Sequence, residues 1–160
     1  MASTLVTPDQ QAVVSEIEIA APPERVFQAL TRSEQLMRWW TNEVCRAELW
    51  EFDARPGGRW RARMKSDTLV INGTNVFEAN GEILEFDPPR LLVYSWVTNW
   101  SPPSTPQSVV RWELAAAGKG TKVKMTHSGL TPELAKDYRG GWPDVVVRLK
   151  NFAEKSEAKK

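Results

Sequence analysis

Trp142-Pro143-Asp144-Val145-Val146-Val147-Arg148-Leu149-Lys150-Asn151-Phe152-Ala153 decides the fold of this 160-residue chain. Trp142, Val145, Val146, Leu149, Phe152 and Ala153 recur at helical spacing and form one apolar stripe, with Asp144, Arg148, Lys150, Asn151 and Glu154 elsewhere. Pro143 suits a first helical turn, where its missing N–H is not needed. Asp144 favours the positive start of a helix, and Lys150 and Lys155 favour its negative end. One amphipathic helix cannot bury such a face alone, so the rest of the chain must supply a surface for it.

Upstream, that surface reads as strands. Val13 to Ile19 alternates, with Val13, Ser15, Ile17 and Ile19 on one face and Val14, Glu16 and Glu18 on the other. Two short helices follow: one begins at the prolines of Ala21-Pro22-Pro23-Glu24, and the other runs through Glu34 to Trp40. Arg46 to Phe52 and a second strand join across Arg55-Pro56-Gly57-Gly58, a turn signal. In that second strand Trp60, Ala62 and Met64 alternate with Arg59, Arg61, Arg63 and Lys65. The basic row reads either as an anion or partner site, or as a solvated sheet face paired across strands with Glu48 or Glu51.

Thr74 to Phe86 is long enough for one strand, with Asn80-Gly81 marking a bulge or bend, and Leu91 to Val97 is the next. A polar, proline-rich loop from Thr98 to Gln107 carries Trp100, which no periodicity explains. Val109 to Leu114 and Thr121 to His127 then form a hairpin whose lysines point to water. Thr131-Pro132-Glu133 starts a helix that Gly140-Gly141 interrupts, so a short helix, a flexible joint and then the main helix are expected. The class is therefore α+β: a curved antiparallel sheet of about six or seven strands around a long C-terminal helix, with two short helices after the first strand. Residues 1–11 read as a flexible leader, 12–153 as a single domain and 154–160 as a frayed tail.

Composition narrows the function. A net charge of +1 provides no general field for a polyanion, so nucleic acid is not an expected partner. No apolar run is long enough to span a bilayer and no secretory signal opens the chain, so a cytoplasmic protein, monomer or homodimer, is expected. A single cysteine, Cys45, makes no internal disulfide. One His and one Cys make no ordinary zinc site, and no glycine-rich phosphate loop occurs, so neither metal nor cofactor is expected.

Five segments occur in order: Ala20 to Leu30, Leu36-Met37-Arg38-Trp39-Trp40, Arg55-Pro56-Gly57-Gly58-Arg59-Trp60, Gly81 to Leu91, and Gly141-Trp142. Together they resemble the Hsp90-ATPase-activator-like branch of the START/Bet v 1 superfamily. The resemblance implies a helix-grip fold with an apolar cavity between sheet and helix. Its wall would include Trp39, Trp40, Trp60, Met64, Phe77, Trp96, Trp112, Met125 and His127, with Trp142, Val146 and Leu149 from the helix.

Such a cavity suits a hydrophobic, aromatic or lipid-like small molecule. An alternative is a module that binds and stimulates an Hsp90-type ATPase through Arg59, Arg61 and Arg63. A third reading is a cyclase- or hydrolase-type enzyme using His127, the only imidazole. A lone inward histidine is more often a hydrogen-bonded core residue than a catalyst.

Overall fold

Alternation builds the sheet. In the computed structural model, which describes residues 3–41, 44–71, 73–101 and 105–158 with side chains as far as Lys155, eight strands form one antiparallel sheet. They are β1 (Ser3–Val6), β2 (Val13–Ile19), β3 (Cys45–Phe52), β4 (Arg59–Ser66), β5 (Val76–Asp87), β6 (Leu91–Thr98), β7 (Ser108–Ala117) and β8 (Gly120–Ser128). Their order is β1-β2-β8-β7-β6-β5-β4-β3. Trp60, Ala62, Met64 and Ser66 of β4 point inward and are buried, as are Thr121, Val123, Met125 and His127 of β8.

Two short helices, α1 (Pro23–Thr31) and α2 (Ser33–Trp39), carry the chain from β2 across to β3 on the far edge. Pro23 opens α1, and Val26, Phe27 and Leu30 bury its inner face. The chain ends in α3 (Pro132–Ala158), which packs against β1, β2, α1 and α2. This is the helix-grip α+β fold.

Three local expectations change. The first is the joint: α3 is one helix of 27 residues running through Gly140, Gly141 and Pro143. Glycine lacks helix propensity but does not forbid helix, and Pro143 removes one hydrogen bond. Ala135 before the pair, and Trp142, Val146, Leu149 and Ala153 after it, are all buried on one stripe, and that burial outweighs the local cost.

The second is the leader. Ser3–Val6 pairs with β2, with Leu5 opposite Val14, so the sheet has eight strands instead of six or seven. Met1 and Ala2 of the expected leader lie outside the described residues, as do Lys159 and Lys160 of the expected tail. Glu154, assigned to that tail, is inside α3: it accepts from the Ala20 backbone N–H (2.8 Å) and pairs with Lys150. Both interactions hold its carboxyl below the usual range.

The third is Gly81. The register shift in the β5–β6 pairing falls between Ile83 and Glu85. Gly81 serves a close approach instead: a Cβ there would stand 1.9 Å from the Ser95 carbonyl oxygen and 2.6 Å from Trp60 Nε1. The Trp60 indole crosses the strand at this point to donate to that carbonyl (3.0 Å).

Candidate ligand pocket

Tryptophans dominate the interior, some as core filler and some as pocket wall. Trp60 donates to Ser95 O, Trp39 to Ala29 O (2.8 Å) and Trp112 to the Tyr94 hydroxyl (3.0 Å). Each is buried and locked, and burial also pushes the Tyr94 phenol above its ordinary range. Trp39, Trp60, Trp112, Met125, Val146 and Leu149, expected on a cavity wall, lie off the pocket and fill the core.

His127 joins them. Trp142 Nε1–H donates to His127 Nδ1 (3.1 Å), so that nitrogen must be bare. The proton of the neutral ring then sits on Nε2, which lies 2.7 Å from Ser108 Oγ. Ser108 Oγ in turn donates to Trp96 O (3.4 Å). Protonating Nδ1 would set two donors against each other in a dry site, and burial pushes the imidazole pKa down to about 3. His127 is a neutral core histidine that pins the start of the apolar stripe of α3 to β8.

What remains open is a pocket of about 420 Å³ between α3 and the inner face of β4, β5 and β6. Of the expected wall residues, Trp40, Met64, Phe77, Trp96 and Trp142 line it. Trp100 joins them, its ring 6.2 Å from that of Phe77 and 6.4 Å from that of Trp96. The aromatic wall is continuous, with Trp40 6.4 Å from Trp96 and 6.2 Å from Trp142 between ring centroids.

Gly140 and Gly141, expected as a joint, line the pocket as part of a continuous helix, and Cys45, Leu69, Ile71, Tyr138, Asp144, Val145 and Arg148, which periodicity does not place on the wall, complete the lining. Leu69-Val70-Ile71 was the available signal, being three consecutive apolar residues between two strands. Leu69 is 39% exposed, and Gly140 and Gly141 are exposed too, so the lining reaches solvent both at this loop and at α3.

Polar groups on the wall are few. Tyr138 Oη accepts from Trp96 Nε1 (3.0 Å), and its own hydrogen has no acceptor among the described residues. Arg148 Nη1 donates to Trp39 O (3.3 Å) at the C-terminus of α2. Arg148 Nε lies 3.0 Å from Asp144 Oδ2, yet the pair lacks the alignment of a hydrogen bond, so it is a charge contact and nothing more. Burial pushes the Cys45 thiol up, and the charge of Arg148 opposes that shift only in part.

The basic row faces away from the pocket. Arg61 pairs with Glu51 (2.5 Å) and Arg63 with Glu78 (3.1 Å), while Arg59 stands opposite Glu82 in the ladder. The outer sheet face is charge-balanced and solvated.

A curved sheet gripping a long helix over an aromatic pocket defines a helix-grip domain. The chain belongs to the activator of Hsp90 ATPase homolog 1-like family, whose model matches residues 20–154. Solved structures agree on the fold. A protein from Rhodobacter sphaeroides superposes with a TM-score of 0.82 at 17% identity, covering 100% of both chains. Protein Ms6760 from Mycobacterium smegmatis gives 0.78 at 19% identity, over 96% of this chain and 94% of that one. An AHSA1-like protein from Aeromonas hydrophila gives 0.73 at 20% identity, over 91% and 94%. No curated protein matches the sequence. No helix among the described residues is long and apolar enough to cross a membrane.

Proposed function

We propose that this chain is a cytoplasmic binding domain that holds an apolar, aromatic or lipid-like small molecule between its sheet and α3. One observation carries the reading: the pocket of about 420 Å³ walled by Trp40, Met64, Phe77, Trp96, Trp100 and Trp142. Small-molecule sites span roughly 300–1,000 Å³ and pair an apolar lining with a few placed polar groups. The pocket meets both conditions. Burial of a ligand there displaces water from aromatic surface, which gives the affinity, and four lining tryptophans report it. The test is a screen of aromatic and lipid-like compounds read by tryptophan quenching and by melting temperature. Ligands are expected to move both; a broad screen that moves neither refutes the reading.

Family membership supports a second reading, a module that docks on an Hsp90-type ATPase. Arg59, Arg61 and Arg63 would carry it on the outer sheet face. Docking there must exchange the pairs to Glu51 and Glu78 for pairs to the partner, so it gains little net charge contact. Stimulation of a purified Hsp90-type ATPase that is lost in Arg61→Glu/Arg63→Glu supports this reading, and absence of binding at low salt ends it.

A further inference from the structure

We propose that the ligand of this pocket is an organic carboxylate: a flat apolar body on the tryptophan wall with its carboxylate on Arg148. The inference rests on the binding reading above and names the chemistry of its ligand. Among the described residues, Arg148 is the only cation that lines the pocket. Its side chain is 19% exposed, so the charge is largely withdrawn from water, where an ionic hydrogen bond is stronger than at the surface.

The guanidinium is only partly committed. Of its five N–H donors, one on Nη1 reaches Trp39 O, at the long distance of 3.3 Å. Nε is buried without a hydrogen bond, and Nη2 has no partner among the described residues. The tie to Trp39 explains why an arginine joins α3 to α2, but it leaves most of the fork unused.

Asp144 shows what the fork accepts. Its carboxylate sits 3.0 Å from Nε, misaligned, and its side chain is 59% exposed. It can swing into water at little cost, whereas an incoming carboxylate anchored by its apolar body can align on the fork. Planar two-point pairing of carboxylate with guanidinium favours this head group. The other free polar group on the wall, the Tyr138 hydroxyl, is also a donor. Tyr138 and Arg148 are separated by about 15 Å of helix at 1.5 Å per residue, so the pocket is elongated along α3. The free donors on its wall ask for acceptors, and Arg148, whose charge meets only a misaligned and displaceable Asp144, asks for an anion.

The experiment compares 4-(1-pyrenyl)butyric acid with its primary amide, two probes of equal shape that differ in charge. Binding is read by quenching of tryptophan fluorescence and by protection of Cys45, the sole cysteine and a pocket residue, from alkylation. The acid is expected to bind about tenfold tighter than the amide, the low end for a hydrogen bond to a charged group. Arg148→Met is expected to bring the acid-to-amide affinity ratio to about one, and Asp144→Asn to raise that ratio above the wild-type value. Equal binding of acid and amide by the wild type, or a preference that survives Arg148→Met, overturns the carboxylate proposal and leaves the pocket reading standing. If neither probe quenches tryptophan or protects Cys45, the carboxylate proposal falls, and the broad screen decides the pocket reading separately. Where Arg148→Met fails to fold, the wild-type acid-to-amide ratio and Asp144→Asn decide.

Discussion

His127 makes the stability of this domain depend on pH in a way that one residue can account for. It is the only histidine in the chain, so no other imidazole confuses the reading. In the folded protein its pKa is pushed from 6.5 down to about 3 by burial, with Trp142 Nε1–H donating to one nitrogen and Ser108 Oγ beside the other. The unfolded chain therefore binds a proton below pH 6.5 that the native state refuses until about pH 3. More protons on the unfolded state means that stability falls as pH falls through this window. At about 1.4 kcal/mol per pH unit, His127 alone removes about 2 kcal/mol between pH 8 and pH 5, above the range where carboxylates titrate. Urea unfolding of wild type and His127→Gln at both pH values measures it. The variant is expected to be less stable at pH 8, through lost hydrogen bonds, yet to lack this pH-dependent loss. Proton NMR of the imidazole gives an independent check. A native ring that titrates near 6.5, or wild-type and variant stabilities that fall in parallel, would refute the argument.

Gly140→Ala and Gly141→Ala test the continuous helix. Neither glycine has a positive φ, and an added Cβ meets nothing within 4 Å, so each change is expected to stabilise by about 0.5–1 kcal/mol, read as a raised melting temperature. A loss in stability would restore the joint. Gly81→Ala drives a methyl into the Ser95 carbonyl and the Trp60 indole and is expected to cost about 3 kcal/mol in urea unfolding, whereas a neutral result would remove the close-approach account. Leu149→Ala empties a fully buried site at the centre of the helix stripe, with an expected loss of about 2–5 kcal/mol.

Periodicity reveals which way a side chain faces but not what it meets. The alternation of Trp60, Ala62 and Met64 against Arg59, Arg61 and Arg63 placed β4 correctly, and the stripe from Trp142 to Ala153 placed α3. Those signals are local and repeat over several residues. Trp60 and Trp96 are both buried indoles whose N–H groups are hydrogen-bonded, yet Trp60 lies off the pocket and Trp96 lines it. That difference depends on Gly81, on α3 and on Tyr138, which are remote in sequence. Arg148 was hidden for a related reason: it lies on the flank of the apolar stripe, and the flank becomes a wall only where the sheet stands off from the helix. The continuity of α3 was illegible because glycine and proline propensities are local, while the burial that overrides them comes from both sides of the pair.

The loss of the joint changes how a ligand would reach the pocket. A movable helix could have served as a gate, but Trp142 is buried, hydrogen-bonded to His127 and directly follows the glycine pair, so opening at that point would break a buried contact. The glycines do something else. Both are exposed, both line the pocket, and nothing stands within 4 Å of where their side chains would be. Leu69 also lines the pocket and is partly exposed. Any large residue at 140 or 141 would narrow the pocket from the helix side, whereas glycine leaves a bare backbone there. The pair thus leaves this part of the pocket wall as bare backbone, and its helix-weakening cost is offset by the core stripe on either side.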